Sequence, residues 1–374
     1  NKINYFSRKI DNIYKNEVIY LPTSHNTPIE IAIKSCRNLS NPYKIINEIN
    51  KLNTTDENGI FINNELNQQK LMDLLKSIKN SRDKIILKSA FYGIFSNYGD
   101  SIYIANDYLQ VSDKHVVVSN YPDNVSQREI ERCRVVAYCL KLGNYPIILD
   151  DNIDFEGEAN IKYIPAIVDI NGIKNQMCIT YTSSRSKTDC INNINKYLNK
   201  LELPILKGIN IKPKKDFEQY FYHLDCILNF SVSNRIQYFS SEIDFFNNYK
   251  KNGILIYEKN GLDENYENLL LKLFEKIIPV KKEDDLLCSN MIVSQNCVIG
   301  SSLIKNKKSI PNYFHFNHPS TGGGGAHKCC SNIINHNDKL TIEDWINFNK
   351  KLDINIKSSF IEGVNSEIER LKYY

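Results

Sequence analysis

Three short segments of this 374-residue chain set reactive side chains beside glycine or at a strand entrance. The first is Thr321-Gly322-Gly323-Gly324-Gly325-Ala326-His327-Lys328-Cys329-Cys330-Ser331. Packing gives no reason for four consecutive glycines, whereas a backbone that takes unusual dihedrals and comes close to a ligand does. A cysteine just past such a loop can be held open, with neighbouring N–H groups favouring the thiolate that attacks carbon. Read structurally, the same run is a flexible loop followed by two ordinary buried thiols. The second segment, Tyr222-His223-Leu224-Asp225-Cys226, enters an apolar run. Residues two apart on a strand share a face, so His223 and Asp225 are expected to project together. An imidazole takes and returns protons near neutral pH, and its carboxylate neighbour could orient it or bind a cation. An isolated His-x-Asp of this kind is more commonly structural. The third, Phe155-Glu156-Gly157-Glu158-Ala159-Asn160, is by itself no more than a turn before a strand.

Taken together, F-E-G-E at 155–158, H-L-D at 223–225 and G-G-G-G-A-H-K-C at 322–329 resemble, in order and spacing, motifs of the amidinotransferase and dimethylarginine dimethylaminohydrolase superfamily, which also contains the arginine and agmatine deiminases. The resemblance covers roughly residues 95–340. Asn106-Asp107 stands where the family carries an Arg-Asp or similar pair, and Arg185-Ser186 where it commonly has Arg-Thr. The resemblance implies a five-bladed α/β propeller of pseudo-symmetric ββαβ units around a central, metal-free and cofactor-free site. In that frame Cys329 is the nucleophile, His223 the general acid and base, and Glu156 and Asp225 the carboxylates that bind a guanidinium. Asp107 is a further substrate ligand, and Arg185 matches an arginine that in some members contacts the substrate carboxylate. Asn160, Gly324 and Gly325 complete the expected substrate-binding set. Ser331, two places after Cys329, favours Cys329 over Cys330, because family members carry a small hydroxyl residue at that distance; a register shift of one would move the role to Cys330. The chain departs from the pattern at Lys328, where His is more usual, at Asn160, where many relatives are acidic, and at Asn106, which replaces a frequent arginine.

The chemistry these residue types would serve is coherent. A guanidinium is planar and cationic with a fork of N–H donors, so paired carboxylates fix it through charge-assisted bonds. Its carbon is a poor electrophile that calls for a thiolate held over the plane, and the bound cation favours that thiolate. The expected activity is a cysteine-dependent hydrolase of arginine or a modified arginine, working through a covalent amidino-thioether. Transfer to an amine, or a non-catalytic binding propeller, are the alternatives. A papain-like reading fails on chain order, since those enzymes place the cysteine before the histidine.

The elements that would position these residues alternate along the chain. The segment 26–90 is polar and helical in pattern, an insertion in an otherwise single domain over 1–374. Strands are expected at Ile102–Ile104 and Val116–Ser119 around a turn at Ser112-Asp113-Lys114. Ser126 and Glu129 read as a capping box, with Gly143 closing the helix. A strand at Pro146–Leu149 follows, then a hairpin, Ile161–Ile170 to Met177–Thr182, about Asn171-Gly172. Ile191, Ile194, Leu198 and Leu201 make a helical stripe. Cys226–Phe230 and Asn290–Ile299 read as later strands, and 341–372 as the last helices. The cycle recurs at roughly 60 residues without visible sequence identity between its copies.

Composition sets the outer limits. Hydrophobic residues are 42% and charged residues 24%, enough for a packed core without disulfides or a structural metal. A net charge of +4 from 47 basic and 43 acidic groups argues against a nucleic-acid partner. No apolar run approaches a membrane span, and 1–10 hold no signal-peptide core, so no membrane partner is expected. The ten cysteines form no C-x-x-C pair, a pattern of reduced thiols in a cytoplasmic protein; a homodimer is left open. His315, His318, His327 and Cys329 have zinc-ligand types but match no common zinc spacing.

Overall fold

The computed structural model describes residues 17–19, 73, 104–121, 129–183, 185–187, 189–215, 221, 223–233, 235–280, 289–293, 298–300, 313–315, 328–329 and 332–371. Apart from the helical, exposed Asp73, these belong to one compact unit made of 1–19 and 104–373. The helical insertion expected over 26–90 otherwise lies outside the described residues, as do Ser126, the glycine run 322–325, His318, His327 and Cys330.

In chain order, β1 (Glu17–Ile19) comes first. Then follow β2 (Tyr108–Gln110), β3 (His115–Val118), α1 (Glu129–Lys141) and β4 (Tyr145–Ile148). A second group holds β5 (Ile161–Ile170), β6 (Ile173–Tyr181), α2 (Cys190–Lys200) and β7 (Ile205–Ile211). The third holds β8 (Leu228–Ser231), β9 (Gln237–Phe239), α3 (Glu242–Asn248), β10 (Ile254–Glu258), α4 (Glu264–Leu273) and β11 (Lys276–Val280). The fourth holds β12 (Ile292–Val293), β13 (Val298–Gly300) and β14 (Tyr313–His315). Last come β15 (Asn332–Ile334), α5 (Ile342–Lys351) and α6 (Ser358–Leu371).

The fold is mixed α/β, built from small sheets. Four of them repeat one order: an antiparallel pair, then a strand parallel to the second member. β2–β3–β4, β5–β6–β7, β8–β10–β11 and β12–β13–β14 all follow it. A parallel return needs a crossover, and α1, α2 and α4 supply it in the first three. β9 is a departure: it leaves the third group to pair in parallel with β5 of the second. β1 and β15 form an antiparallel pair of their own. Among the described residues no sheet closes on itself.

Local chemistry accounts for much of this. Asn171 and Gly172 take φ of 54° and 82°, the left-handed pair that a tight hairpin between β5 and β6 demands. Pro165 falls where β5 breaks register with β6, the position at which a missing N–H costs no ladder bond. Thr341 and Asp344 form a reciprocal capping box at the start of α5, whose buried Trp345 donates to the Pro146 carbonyl at 2.8 Å.

Apolar clusters join each group to the next. Leu109, Val117 and Ile147 of the first pack with Cys178 of the second and with Ile194 and Leu198 of α2. Met177 and Ile179 of the second meet Leu228, Leu255 and Tyr257 of the third. Ile256 and Ile278 of the third meet Val293 and Val298 of the fourth.

One correction to the sequence reading bears on the site. Of the strand expected at 102–104 only Ile104 is among the described residues, and it opens a 3-10 turn, Ile104–Asn106, with a strand following at 108–110. Likewise Leu224–Cys226 is a 3-10 turn, with β8 beginning only at Leu228. Gly157–Ala159 makes a third such turn before β5. Short turns also stand at 289 before β12 and at 328–329 before β15. Gly157 holds φ of 54°, and a Cβ there would meet the Ala105 carbonyl oxygen at 2.7 Å and Tyr108 backbone atoms at 2.8 and 2.9 Å. Two of these turns therefore touch through backbone alone. Gly157→Ala should destabilise the protein by about 2 kcal/mol or more, since dihedral strain and a backbone clash act together. Gly172→Ala, strained but open on every side, should cost nearer 1 kcal/mol. Urea midpoints of the two variants check the difference.

Candidate active site

The residues singled out for chemistry sit on those turns. Glu156 precedes the 157–159 turn and has no solvent exposure. His223 precedes the 224–226 turn, and its Nε2 lies 2.8 Å from Glu156 Oε2. Asn106, at the end of the 104–106 turn, donates through Nδ2 to the same Oε2 at 2.9 Å and lies 3.3 Å from His223 Nε2. Arg185, after β6, donates through Nε to Glu156 Oε1 and through Nη2 to Oε2 at 3.3 Å. Burial opposes ionisation of Glu156, but the His223 ring and the Arg185 guanidinium outweigh it and draw its carboxyl down to about 2.

Cys329 occupies the other side of this arrangement, through Asp225. Its thiol donates to Asp225 Oδ2 at 3.4 Å, and Asn290 Nδ2 donates to its sulfur at 2.9 Å. Asn290 also fixes the turn: its Oδ1 accepts from the Cys329 and Lys328 backbone N–H groups at 3.1 and 3.0 Å. The Cys329 carbonyl accepts from Ala105 N at 3.0 Å, tying the 328–329 turn to the 104–106 turn. Asp225 is fully buried, and its own carbonyl accepts from Asn229 Nδ2 at 2.8 Å and Asn290 Nδ2 at 3.3 Å. His223, Asp225 and Cys226 each offer a donor atom, all within 4.8 Å of one another and all buried, the group in this site that could hold a cation.

Beside Cys329 runs a chain of charge. Lys328 Nζ pairs with Glu158 Oε2 at 2.7 Å, and Lys162 Nζ reaches Glu158 Oε1 at 3.8 Å. Burial, then the neighbouring Lys328 charge, draws the Lys162 ammonium down to about 8, against the opposing influence of Glu158, Asp225 and Cys329. Burial resists ionisation of Glu158 too, yet the two lysines hold its carboxyl below the usual range.

Other expected residues lie differently. Asp107 is buried and accepts from the Tyr121 hydroxyl at 2.7 Å, while its neighbour Asn106 makes the contacts to Glu156 and His223. Asn160 ties loops together: its Nδ2 donates to Ser186 Oγ at 2.8 Å and its Oδ1 accepts from Leu224 N at 3.3 Å. It also borders a polar cleft of about 200 Å³ that includes Thr180, Thr182, Lys187 and Asn210 but neither Cys329 nor His223. Gly324 and Gly325 lie outside the described residues. The joint projection of His223 and Asp225 arises from the 3-10 turn, not from strand alternation as the two-residue spacing suggested. Asn290 is the partner that the motifs did not single out, and its one signal is its place before β12, equivalent to the other turns; Asn106, noted only as a departure from the family pattern, makes the contacts expected of its neighbour Asp107.

No protein-family model matches the chain, and no curated protein matches it. Its structure is similar to that of ArgZ, an arginine dihydrolase from the ornithine-ammonia cycle in cyanobacteria, at 19% identity and a TM-score of 0.46, over 65% of this chain and 34% of that one. The N-terminal domain of ArgZ bound to substrate gives 16% identity and 0.49 over 85% and 98% of the two chains. DDAH from Pseudomonas aeruginosa complexed with citrulline gives 12% and 0.39 over 63% and 77%. This chain thus spans about a third of the length of the whole arginine dihydrolase it matches. Proteins of the superfamily that the motifs resemble are among the structures to which it is similar, and the functional reading rests on the site itself.

The Glu156 network fixes an acid limb. A carboxyl held near 2 in the folded chain and near 4.5 in the unfolded one binds fewer protons when folded. Its contribution to stability is therefore complete above pH 4.5 and is lost as pH falls towards 2. Glu156→Gln should be less stable than the parent at neutral pH and should show a shallower loss across that window in denaturant titrations run at stepped pH.

Proposed function

We propose that this protein is a cysteine-dependent hydrolase of a guanidino group, with Cys329 as nucleophile and His223 as proton carrier. The reading rests on one observation: a thiol, an imidazole and two carboxylates from three turns share one buried cluster, with Cys329 against Asp225 and His223 against Glu156. Asp225, touching the nucleophilic sulfur, is placed to hold the guanidinium of arginine or a modified arginine. A guanidinium seated there brings a positive charge to the sulfur, so the substrate's own charge favours its attacker. Glu156, filled by Arg185, Asn106 and His223, orients the ring. Asp107 and Arg185 remain in this proposal as groups for the rest of the substrate.

The thiolate adds to the guanidinium carbon. The C–N bond then breaks as His223 delivers a proton to the leaving nitrogen, and an amidino-thioether remains. Water gives a proton back to His223 while adding to that carbon, and rupture of the C–S bond frees a ureido product and the thiolate. From arginine the products are citrulline and ammonia.

The recurrent antiparallel-then-parallel order, with apolar clusters joining successive groups, supports a five-bladed α/β propeller whose fifth unit contains β1 and β15. Six described cysteines are free, which supports a reducing, cytoplasmic setting. Among the described residues no helix is long and apolar enough to cross a membrane.

The test is incubation with arginine, methylated arginines and agmatine, reading ureido product and released ammonia or amine. Cys329→Ser should lower turnover by about 10³ or more. Mass spectrometry of a slow substrate should place the amidino adduct on Cys329. An adduct on Cys330, or full activity in the serine variant, overturns the assignment.

A further inference from the structure

Asp225 carries a second thiol. Cys226 is 1% exposed, and its Sγ donates to Asp225 Oδ1 at 3.7 Å, while Cys329 Sγ donates to Oδ2 at 3.4 Å. Two sulfurs thus sit on the two oxygens of one carboxylate, and the Cys226 thiol interacts with that of Cys329. The backbone on both sides is held: Cys226 N donates to the His223 carbonyl at 3.2 Å, its carbonyl accepts from Ser289 Oγ, and Asn290 clamps the Cys329 turn. The hydrolytic cycle has no use for a thiol at 226. A structural thiol in an apolar core needs no carboxylate: Cys178 lies in such a core and donates to the Lys207 carbonyl at 3.6 Å.

We propose that Cys226 and Cys329 form a reversible disulfide when a peroxide reaches the site, a modification that shields the sulfur at 329 from irreversible oxidation. The Cys329 thiolate attacks one oxygen of hydrogen peroxide, the O–O bond breaks, and hydroxide leaves a sulfenic acid on Cys329. The Cys226 sulfur then attacks the sulfenic sulfur, its proton passes to the departing oxygen, and water leaves. Two thiols lose two electrons and two protons, and the peroxide becomes two waters. Cys329 is the first to be oxidised, because interaction with Cys329, then burial and the Asp225 charge, holds the Cys226 thiol well above its usual value. The consequence for activity rests on the proposed function; the cross-link itself does not.

The experiment exposes the folded protein to hydrogen peroxide under conditions that leave its circular dichroism unchanged, blocks remaining thiols and maps the digest without reduction. A peptide pair joined through Cys226 and Cys329, two hydrogens lighter than the separate peptides, is expected, and dithiothreitol should return Cys329 to alkylation. In Cys226→Ser, and independently in Cys226→Ala, the same treatment should carry Cys329 to sulfinic or sulfonic acid, with dithiothreitol restoring less than about a tenth of its labelling. Pairing of Cys329 with Cys330 instead, or equal over-oxidation in parent and variants, overturns the proposal. Cross-linking without any guanidino hydrolysis would leave this inference standing and remove the catalytic reading.

Discussion

Glu156 is an ionised carboxylate without solvent, and such a group persists only where donors replace the lost water. Three loops far apart in sequence provide them: Asn106 from the 104–106 turn, Arg185 from the segment after β6, and His223 from the start of the 224–226 turn. Because all three meet the one carboxylate, its charge couples the placement of the imidazole to that of the first and second groups. Withdraw one donor and the remaining pair faces an uncompensated buried charge. The imidazole is thus positioned by an electrostatic constraint, not by packing against a single element.

The backbone arrangement makes that constraint achievable. Asn106, Glu156, His223 and Asp225 lie on or beside short turns before the first strand of a repeated group, so one local device is used several times with different residues mounted on it. Apolar clusters between successive groups hold the strands, and backbone contacts such as Ala105 to Cys329 and Gly157 against Ala105 bring the turns together. A turn gives its side chains directions that a strand cannot, since neither residue is obliged to alternate across a sheet.

Asp225 is the second shared point. It touches the Cys329 thiol on one oxygen and the Cys226 thiol on the other, and its carbonyl is held by Asn229 and Asn290. A carboxylate so placed can serve a planar cation in one state and bring two sulfurs together in another. Lys162, Glu158 and Lys328 add a neighbouring chain of alternating charge that senses both Asp225 and Cys329.

Much of this was legible in one dimension. Binary pattern and turn chemistry gave the β5–β6 hairpin about Asn171-Gly172, the stripe of α2 and the helices after 341, because these depend on contacts a few residues apart. The types Cys329, His223, Glu156 and Asp225 stood out because few residues can do such chemistry. What tertiary structure alone decided is which oxygen meets which donor. Asn106 faces the imidazole while Asp107 meets Tyr121, Arg185 pairs with Glu156, and Asn290 holds the sulfur. Those pairings join positions 14 to 117 residues apart, and nothing in local spacing encodes a distance that exists only after the groups have packed.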